Sequence, residues 1–298
     1  MRHMLALKYI DAVAKAGSIR SAADMLSITP SALNRRILTV EEELGIEIFE
    51  RHSLGVRLNS AGELFIQHIR SQMADLERVR SRIADLSGVR LGHVRIATTN
   101  FIGSVLLPKL IHRYRTEFPG VTFSLSTHKR NEVERQLLNL DADIVVVFQP
   151  MRLADVHTLM HVQQELHCLV SSTHPLANRK ELRLVDCLEH PSLLPPRGDG
   201  VREMIEAACV KKGLNCNPAV ESDNAATLTE LARQGAGITF NFPLATVDER
   251  EAQDLVRIPF YPNEVEPGFL FVGQLHKRVL PVATAKFVEE MRKEIEGT

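Results

Sequence analysis

The chain has 298 residues, 44% of them hydrophobic and 24% charged, with a formal net charge of -1. That length accommodates two or three domains with a substantial core, and the balance excludes a disordered chain or a polycationic nucleic-acid coat. No apolar run approaches the roughly 20 residues that span a bilayer, and the N-terminus lacks the apolar core of a signal peptide, so the expected location is the cytoplasm.

Charge is unevenly spread. Residues 1 to 90 carry 13 Lys plus Arg against 11 Asp plus Glu, whereas the remainder carries 23 against 26. Between Lys15 and Arg36 four basic residues face one acid, Asp24, which permits a small, focused basic site. Leu7, Ile10, Val13 and Ala14 give a first helix an apolar stripe that Gly17 can end. Ser18 can cap a second helix running through Ala22 and Ala23 to Leu26, the small pair letting another helix approach closely. Thr29 caps a third, Pro30 suits its first turn, and Leu33, Ile37, Val40 and Leu44 recur on one face. The opposite face carries Ser31, Asn34, Arg35 and Leu38 with Arg36 beside them, as in a groove-reading second helix of a helix-turn-helix. An ordinary amphipathic helix with a solvated face fits this stretch alone equally well.

Gly45 stops that helix, and Arg51, His52, Gly55, Arg57 and Leu58 suggest a two-stranded wing whose arginines reach phosphates or lie on the surface. Ser60 and Glu63 have capping-box spacing, reinforced by Asn59, and open a helix expected to run to about Ser87. Gly62, Ile66, Ile69, Met73, Leu76 and Ile83 follow steps of four and three, interrupted at Arg80. This is a coiled-coil seam suited to dimerisation, with an internal packing helix as the other reading.

Residues 1 to about 87 resemble the N-terminal part of a LysR-type transcriptional regulator. The resemblance rests on Leu7 to Ala14, Gly17-Ser18, Ala22-Ala23, Leu26, Leu33 to Ile37, Glu42 to Gly45, Phe49 to Arg51 and Ala61-Gly62. The family usually has Gln, Ser and Thr where this chain has Pro30, Asn34 and Asn59. The resemblance implies DNA binding, and the candidate set is Ser18, Arg20, Thr29, Ser31, Asn34, Arg35, Arg36, Arg51 and Arg57.

Beyond Gly88 and Gly92 strands and helices alternate. Strands are expected at His93 to Thr98, Val121 to Thr127 and Ile144 to Phe148, the last an apolar run suited to a strand covered on both faces. Helices are expected at Ile102 to Tyr114, with Pro108 near its first turns, and at Glu132 to Leu140. A second series has strands at Cys168 to Ser171, Ser192 to Leu194, Ala219 to Glu221 and Ile238 to Phe240. Its helices fall near Leu184 to Leu188, Gly200 to Lys212 and Ala225 to Gln234, and a strand at Phe269 to Gln274 and a helix from Pro281 to Glu296 close the chain. Two α/β lobes follow, with ligands at the carboxyl ends of strands in the cleft.

This region is similar to the LysR-type effector domain, itself like a periplasmic binding protein, through Leu107-Pro108, Phe118-Pro119, Asp143, His174 to Leu176 and Ala232 to Gly237. The expected fold is therefore α/β with an all-α/winged N-terminal domain: a winged helix-turn-helix over 1–58, a linker and dimerisation helix over 59–88, and a two-lobed effector domain over 89–298. Lobe 1 would take about 89–162 and 268–298, and lobe 2 about 163–267.

Thr98, Thr99, Asn100 and Phe101 resemble the family's effector-binding turn, although the family often has Ser or Thr where Phe101 stands. Thr127, His128, Lys129 and Arg130 follow the next strand, Phe148 ends the third, and Pro196-Arg197 follows a strand of the other lobe. Three cations and two phenyl rings suggest a small anionic effector, aromatic or thio in character; a solvated loop with Phe148 in the core is the alternative. The candidate effector set is Thr98, Thr99, Asn100, Phe101, Thr127, His128, Lys129, Phe148, Pro196 and Arg197.

The four cysteines Cys168, Cys187, Cys209 and Cys216 form no Cys-x-x-Cys pair and are expected to be buried thiols. His157 and His161 fall in a strand-like alternation, and with His167 following them no metal site is expected. Neither a cofactor motif nor a nucleophile-base set is found, so the expected protein is no enzyme. The expected partners are double-stranded DNA, a small effector and further copies of the chain, without a membrane. An α/β solute-binding or enzymatic protein with an incidental helical N-terminal domain is the competing class; a DNA-architectural protein that binds no effector is a third.

Overall fold

A computed structural model of the chain describes residues 2–53, 55–86, 91–149, 154–243 and 254–296. The chain divides into two compact units, Met1–Arg80 and Ser81–Thr298. The last two residues of the linker helix expected over 59–88 lie outside the described residues.

In the first unit α1 (Arg2–Ala16), α2 (Ile19–Met25) and α3 (Pro30–Leu44) are followed by the antiparallel strands β1 (Phe49–His52) and β2 (Gly55–Leu58), then by α4 (Ser60–Leu86), whose residues from Ser81 on belong to the second unit. Leu7, Ile10 and Val13 of α1, the Ala22-Ala23 pair, and Leu33, Ile37 and Val40 of α3 share one core. Ser18 and Thr29 cap α2 and α3, accepting from the Ser21 and Ala32 amides, and Pro30 stands in the first turn as expected. Among the bonds that tie the wing to the helices, Val56 N donates to Gly17 O at 2.9 Å, and Glu41 Oε1 accepts from the amides of Ile48 and Phe49. A Cβ on Gly55 would lie 2.3 Å from the Gly17 carbonyl oxygen, so this contact requires glycine.

The cap of α4 is not the expected Ser60 but the residue before it. Asn59 Oδ1 accepts from Gly62 N at 2.8 Å while its Nδ2 donates to Glu47 O, so one amide both caps the helix and holds the preceding turn. The seam also behaves differently from one long dimerisation stripe. Ile66 and Ile69 are buried in the first unit's own core with Met73 against it, and a Cβ on Gly62 would meet Ile48 O at 2.1 Å. Asp11 of α1 accepts from Arg70 Nε at 2.7 Å on the same half of α4. Further along, Val79, Ile83 and Leu86 are exposed.

The second unit is built on a five-stranded sheet in the order β4-β3-β5-β12-β6, from β3 (Gly92–Thr98), β4 (Val121–Thr127), β5 (Ile144–Phe148), β6 (Val156–Gln164) and β12 (Gly268–Leu275). β3, β4 and β5 run parallel, and β12 pairs antiparallel to both β5 and β6. Every residue of β5 is buried: Ile144, Val146 and Phe148 join the main core, while Val145 and Val147 pack with α6 (Val133–Leu138) on the other face. The helix expected from Ile102 begins as a π-helical turn, Ile102–Leu106, before α5 (Leu107–Glu117). Pro108 lacks the N–H that would continue a regular ladder at this junction.

The second lobe contains β7 (His167–Ser171), α7 (Leu184–Leu188), β8 (Ser192–Leu194), α8 (Gly200–Lys211), β9 (Pro218–Glu221), α9 (Ala225–Arg233), β10 (Thr239–Asn241) and β11 (Leu255–Pro259). β11, for which the sequence reading has no counterpart, pairs antiparallel with β7 opposite β10. The closing helix α10 (Val282–Glu296) returns to pack on β3. His157 and His161 do lie on a strand, β6, and His161 stacks on Phe269. Cys168, Cys187 and Cys209 are buried free thiols, and Cys216 is half-buried.

Two histidines of this lobe make its stability sensitive to acid. Burial pushes the His174 pKa down, and His190, whose ring centroid is 4.5 Å away, pushes it further. Burial and then Arg257 lower His167, against a smaller opposing pull from Glu165. Both folded-state pKa values lie below the unfolded value, so the unfolded chain binds more protons in between and stability rises with pH there. The stabilising contribution is complete above about pH 6.5 and is lost as pH falls from there toward the folded pKa values. A melting series from pH 7.5 to 5.5 should show falling Tm, less steeply in His174→Gln; equal slopes for the two proteins would contradict this.

Candidate functional sites: a helix-turn-helix face and an interlobe cleft

On α3 the buried side is occupied by Leu33, Ile37 and Val40, which turns Ser31, Arg35, Arg36 and Leu38 to solvent. Ser31 Oγ is 3.3 Å from Thr29 Oγ1, so the capping hydroxyl and its neighbour sit together at the helix start. Asn34 is half-buried and its Oδ1 accepts from Arg51 Nη2 of the wing at 2.9 Å. Arg20 and Arg57 are exposed, and Ser18 is engaged in capping α2. All nine expected DNA-binding residues therefore lie on α3, at the start of α2 or on the wing.

In the second unit a cavity of about 710 Å³ opens between the lobes. Thr99, Asn100, Thr127, His128, Lys129 and Arg130 line it from the carboxyl ends of β3 and β4, and Pro196, Arg197, Asp199, Glu203 and Asp223 from the other lobe. Asn100 joins the lobes, its Oδ1 accepting from Ala225 N at 3.1 Å at the start of α9. Arg130 also crosses: Nη1 donates to Gln149 O at 2.9 Å and Nη2 pairs with Glu203 of α8. Its side chain is only 8% exposed, and its Nε, like Nε2 of His128, is buried without a hydrogen-bond partner. Asp199 spends its carboxylate capping α8, accepting from Val201 N at 2.8 Å, and burial pushes its pKa up.

At the opposite end of the sheet Asp143 is fully buried and holds two cations. Arg95 Nη2 donates to it at 2.7 Å and Arg278 Nη2 at 3.0 Å, joining β3, the start of β5 and the turn after β12.

A family model described as the bacterial regulatory helix-turn-helix protein, lysR family, matches residues 4–63, and one described as the LysR substrate binding domain matches residues 87–296. The chain belongs to the LysR family. It is a LysR-type DNA-binding transcriptional regulator with an effector-binding domain, and not an enzyme. The transcriptional dual regulator GltC of Bacillus subtilis is 28% identical over 278 residues, covering 93% of this chain and 92% of that protein. The transcriptional activator CmpR of Synechocystis is 24% identical over 248 residues, covering 80% and 81%. In fold, the chain is similar to full-length OxyR C199D from Pseudomonas aeruginosa (TM-score 0.72, 20% identity, 97% of this chain and 94% of that one). It is also similar to full-length CbnR complexed with its target DNA (TM-score 0.64, 22% identity, 98% and 99%). The competing reading, an enzyme or solute-binding protein with an incidental helical domain, is set aside by the match at both ends of the chain.

Within this LysR-type effector domain the expected residues separate into two groups. Thr99, Asn100, Thr127, His128, Lys129, Pro196 and Arg197 line the cavity. Thr98 does not: it is buried and its hydroxyl donates to Val146 O at 2.6 Å, because it still belongs to the sheet. Phe148 is a core residue, its ring centroid 4.3 Å from that of Phe242, and the Phe101 ring lies tilted against Phe242 with centroids 4.7 Å apart. Among the described residues no phenyl ring lines the cavity, so the aromatic character expected of the effector has no support from its walls. Arg197 is 83% exposed, leaving Arg130 as the buried cation. Asp199, Glu203 and Asp223 have no counterpart in the candidate set, since only the folded lobe brings α8 and the turn before α9 to the strand ends of the other. Among the described residues no helix is long and apolar enough to cross a membrane, and no cluster of three metal-ligating side chains occurs.

Proposed function

We propose that this regulator responds to a small effector carrying one anionic group, bound in the interlobe cleft with Arg130 and His128 as its principal partners. The carrying observation is the pair of buried, unpartnered nitrogens, Arg130 Nε and His128 Nε2, on residues that line the cavity. A buried donor left unmade costs about 1–3 kcal/mol, which an acceptor from a ligand would recover. Glu132, Asp199, Glu203 and Asp223 also line the cleft, so a polyanion is repelled and a single carboxylate-sized charge is favoured. An anion that draws Arg130 away from Glu203 alters the bond between the lobes, and that differential contact is what lets a ligand shift a conformational equilibrium. The protein acts in the cytoplasm as a homodimer or homotetramer, with paired recognition helices in successive major grooves.

Thermal-shift screening tests the effector class. At least one small organic or inorganic monoanion should raise Tm; stabilisation by cations or neutral sugars alone would contradict the reading. On the DNA side, Arg35→Ala should weaken binding at least about tenfold at physiological salt and lower the salt slope by roughly 1. Titrating labelled duplex at several salt concentrations measures both, and unchanged binding would remove Arg35 from the interface.

A further inference from the structure

A hydrogen bond ties the wing to α3, joining two side chains 17 residues apart. Arg51 lies on β1, Asn34 on α3, and Arg51 Nη2 meets Asn34 Oδ1 at 2.9 Å. A guanidinium can only donate, so the amide edge facing Arg51 must be the carbonyl oxygen, and Nδ2 is turned to the other edge. A surface asparagine is otherwise free to rotate about its terminal torsion and presents its two edges almost interchangeably. Here the torsion is fixed from outside the helix. Asn34 stands on the second turn of α3, beside Ser31 and Arg35, which are exposed in the first two turns. The N-terminal residues of a recognition helix are the ones that reach base edges. Oδ1 keeps one lone pair after accepting from Arg51, so the amide can still accept and donate at once, as a bidentate contact with adenine N6 and N7 needs.

We propose that Arg51 is a positioning residue for base recognition: by clamping the Asn34 amide it sets the base preference at one operator position, in addition to any contact of its own with phosphate. The proposal rests on α3 being the helix that reads DNA. It separates two roles that charge alone would merge, since a phosphate contact strengthens binding to all sequences equally and a positioning contact changes which sequence is preferred.

The test is selection from randomised duplexes with the full-length protein, followed by affinities for the winning operator and its single-base variants. Arg51→Lys keeps the charge and loses the planar fork, Arg51→Ala removes both, and Asn34→Ala removes the amide. The expected result is that Arg51→Lys relaxes discrimination about tenfold or more at one base pair. The same base pair should be relaxed by Asn34→Ala, with no further relaxation in the double variant and with the salt slope of Arg51→Lys unchanged. Arg51 variants that weaken all sequences equally, or that relax a base pair other than the one Asn34→Ala affects, overturn the proposal. Should Arg51→Ala fail to fold, Arg51→Lys still gives the comparison. A wild-type protein that enriches no sequence would contradict the reading role of α3 itself, a failure distinct from that of the clamp.

Discussion

Arg130→Ala should abolish the thermal stabilisation that an anionic effector gives to the wild-type protein, with Kd rising by two orders of magnitude or more. The guanidinium is 8% exposed and already desolvated, so a charge-assisted bond made there is worth roughly 1.5–3 kcal/mol, and loss of the paired charge adds to that. Removing Arg130 also leaves Glu203 without its partner across the lobes, which favours cations in the same cavity. Arg197→Ala, at an 83% exposed side chain, should change the affinity less than about threefold, because exposed pairs contribute little. Isothermal titration of the three proteins with a stabilising anion decides the matter. Equal losses in the two variants, or none in Arg130→Ala, would contradict the assignment.

Asp143→Ala should be the most damaging single change to the effector domain. Its buried carboxylate accepts from Arg95 N, Nε and Nη2 and from Arg278 Nη2, with the Arg95 side chain partly exposed. Breaking such an arrangement by removing one partner costs about 3–5 kcal/mol, because the cations left behind are not repaid by water. For a domain of this size that corresponds to a fall in Tm on the order of 10 °C. Asp143→Asn keeps one acceptor oxygen for one pair of these donors but sets an NH2 against the other pair and removes the charge, so it too should lower Tm, by less than Asp143→Ala. A melting curve for Asp143→Ala that overlays the wild type would show that Arg95 and Arg278 are held by their bonds to Leu140 O and Ala142 O instead.

Where local chemistry decides structure, the sequence was readable. The Thr29 cap, Pro30 in the first turn, the buried triplet of α3 and the wholly apolar run of β5 each depend on neighbours within a few residues, and each is found at its expected place. Contacts between distant segments were not readable. Phe148 ends a strand and so reads equally as a cleft or a core residue, and only Phe242, 94 residues later, places its ring in the core. Asn59 is legible as a capping side chain, but its second bond, to Glu47 O, and hence its precedence over Ser60, depends on how the turn folds back. Lys129 and Arg130 are adjacent cations that periodicity cannot rank, and only the position of Glu203 on α8 shows which one is drawn inside. β11 joins its sheet by pairing with β7, which a short run with Pro259 at its end does not announce.

The proposed effector role implies that occupancy of the interlobe cleft by an anion alters a salt-sensitive DNA contact of the same chain. The most direct measurement is the binding of full-length protein to its selected operator across a salt series, with and without the monoanion that raises Tm most. Log Kd should rise steeply with log salt, and the anion should change the operator affinity or footprint of the wild type but not of Arg130→Ala. DNA retention that is insensitive to salt, or identical with and without every stabilising anion, would contradict it.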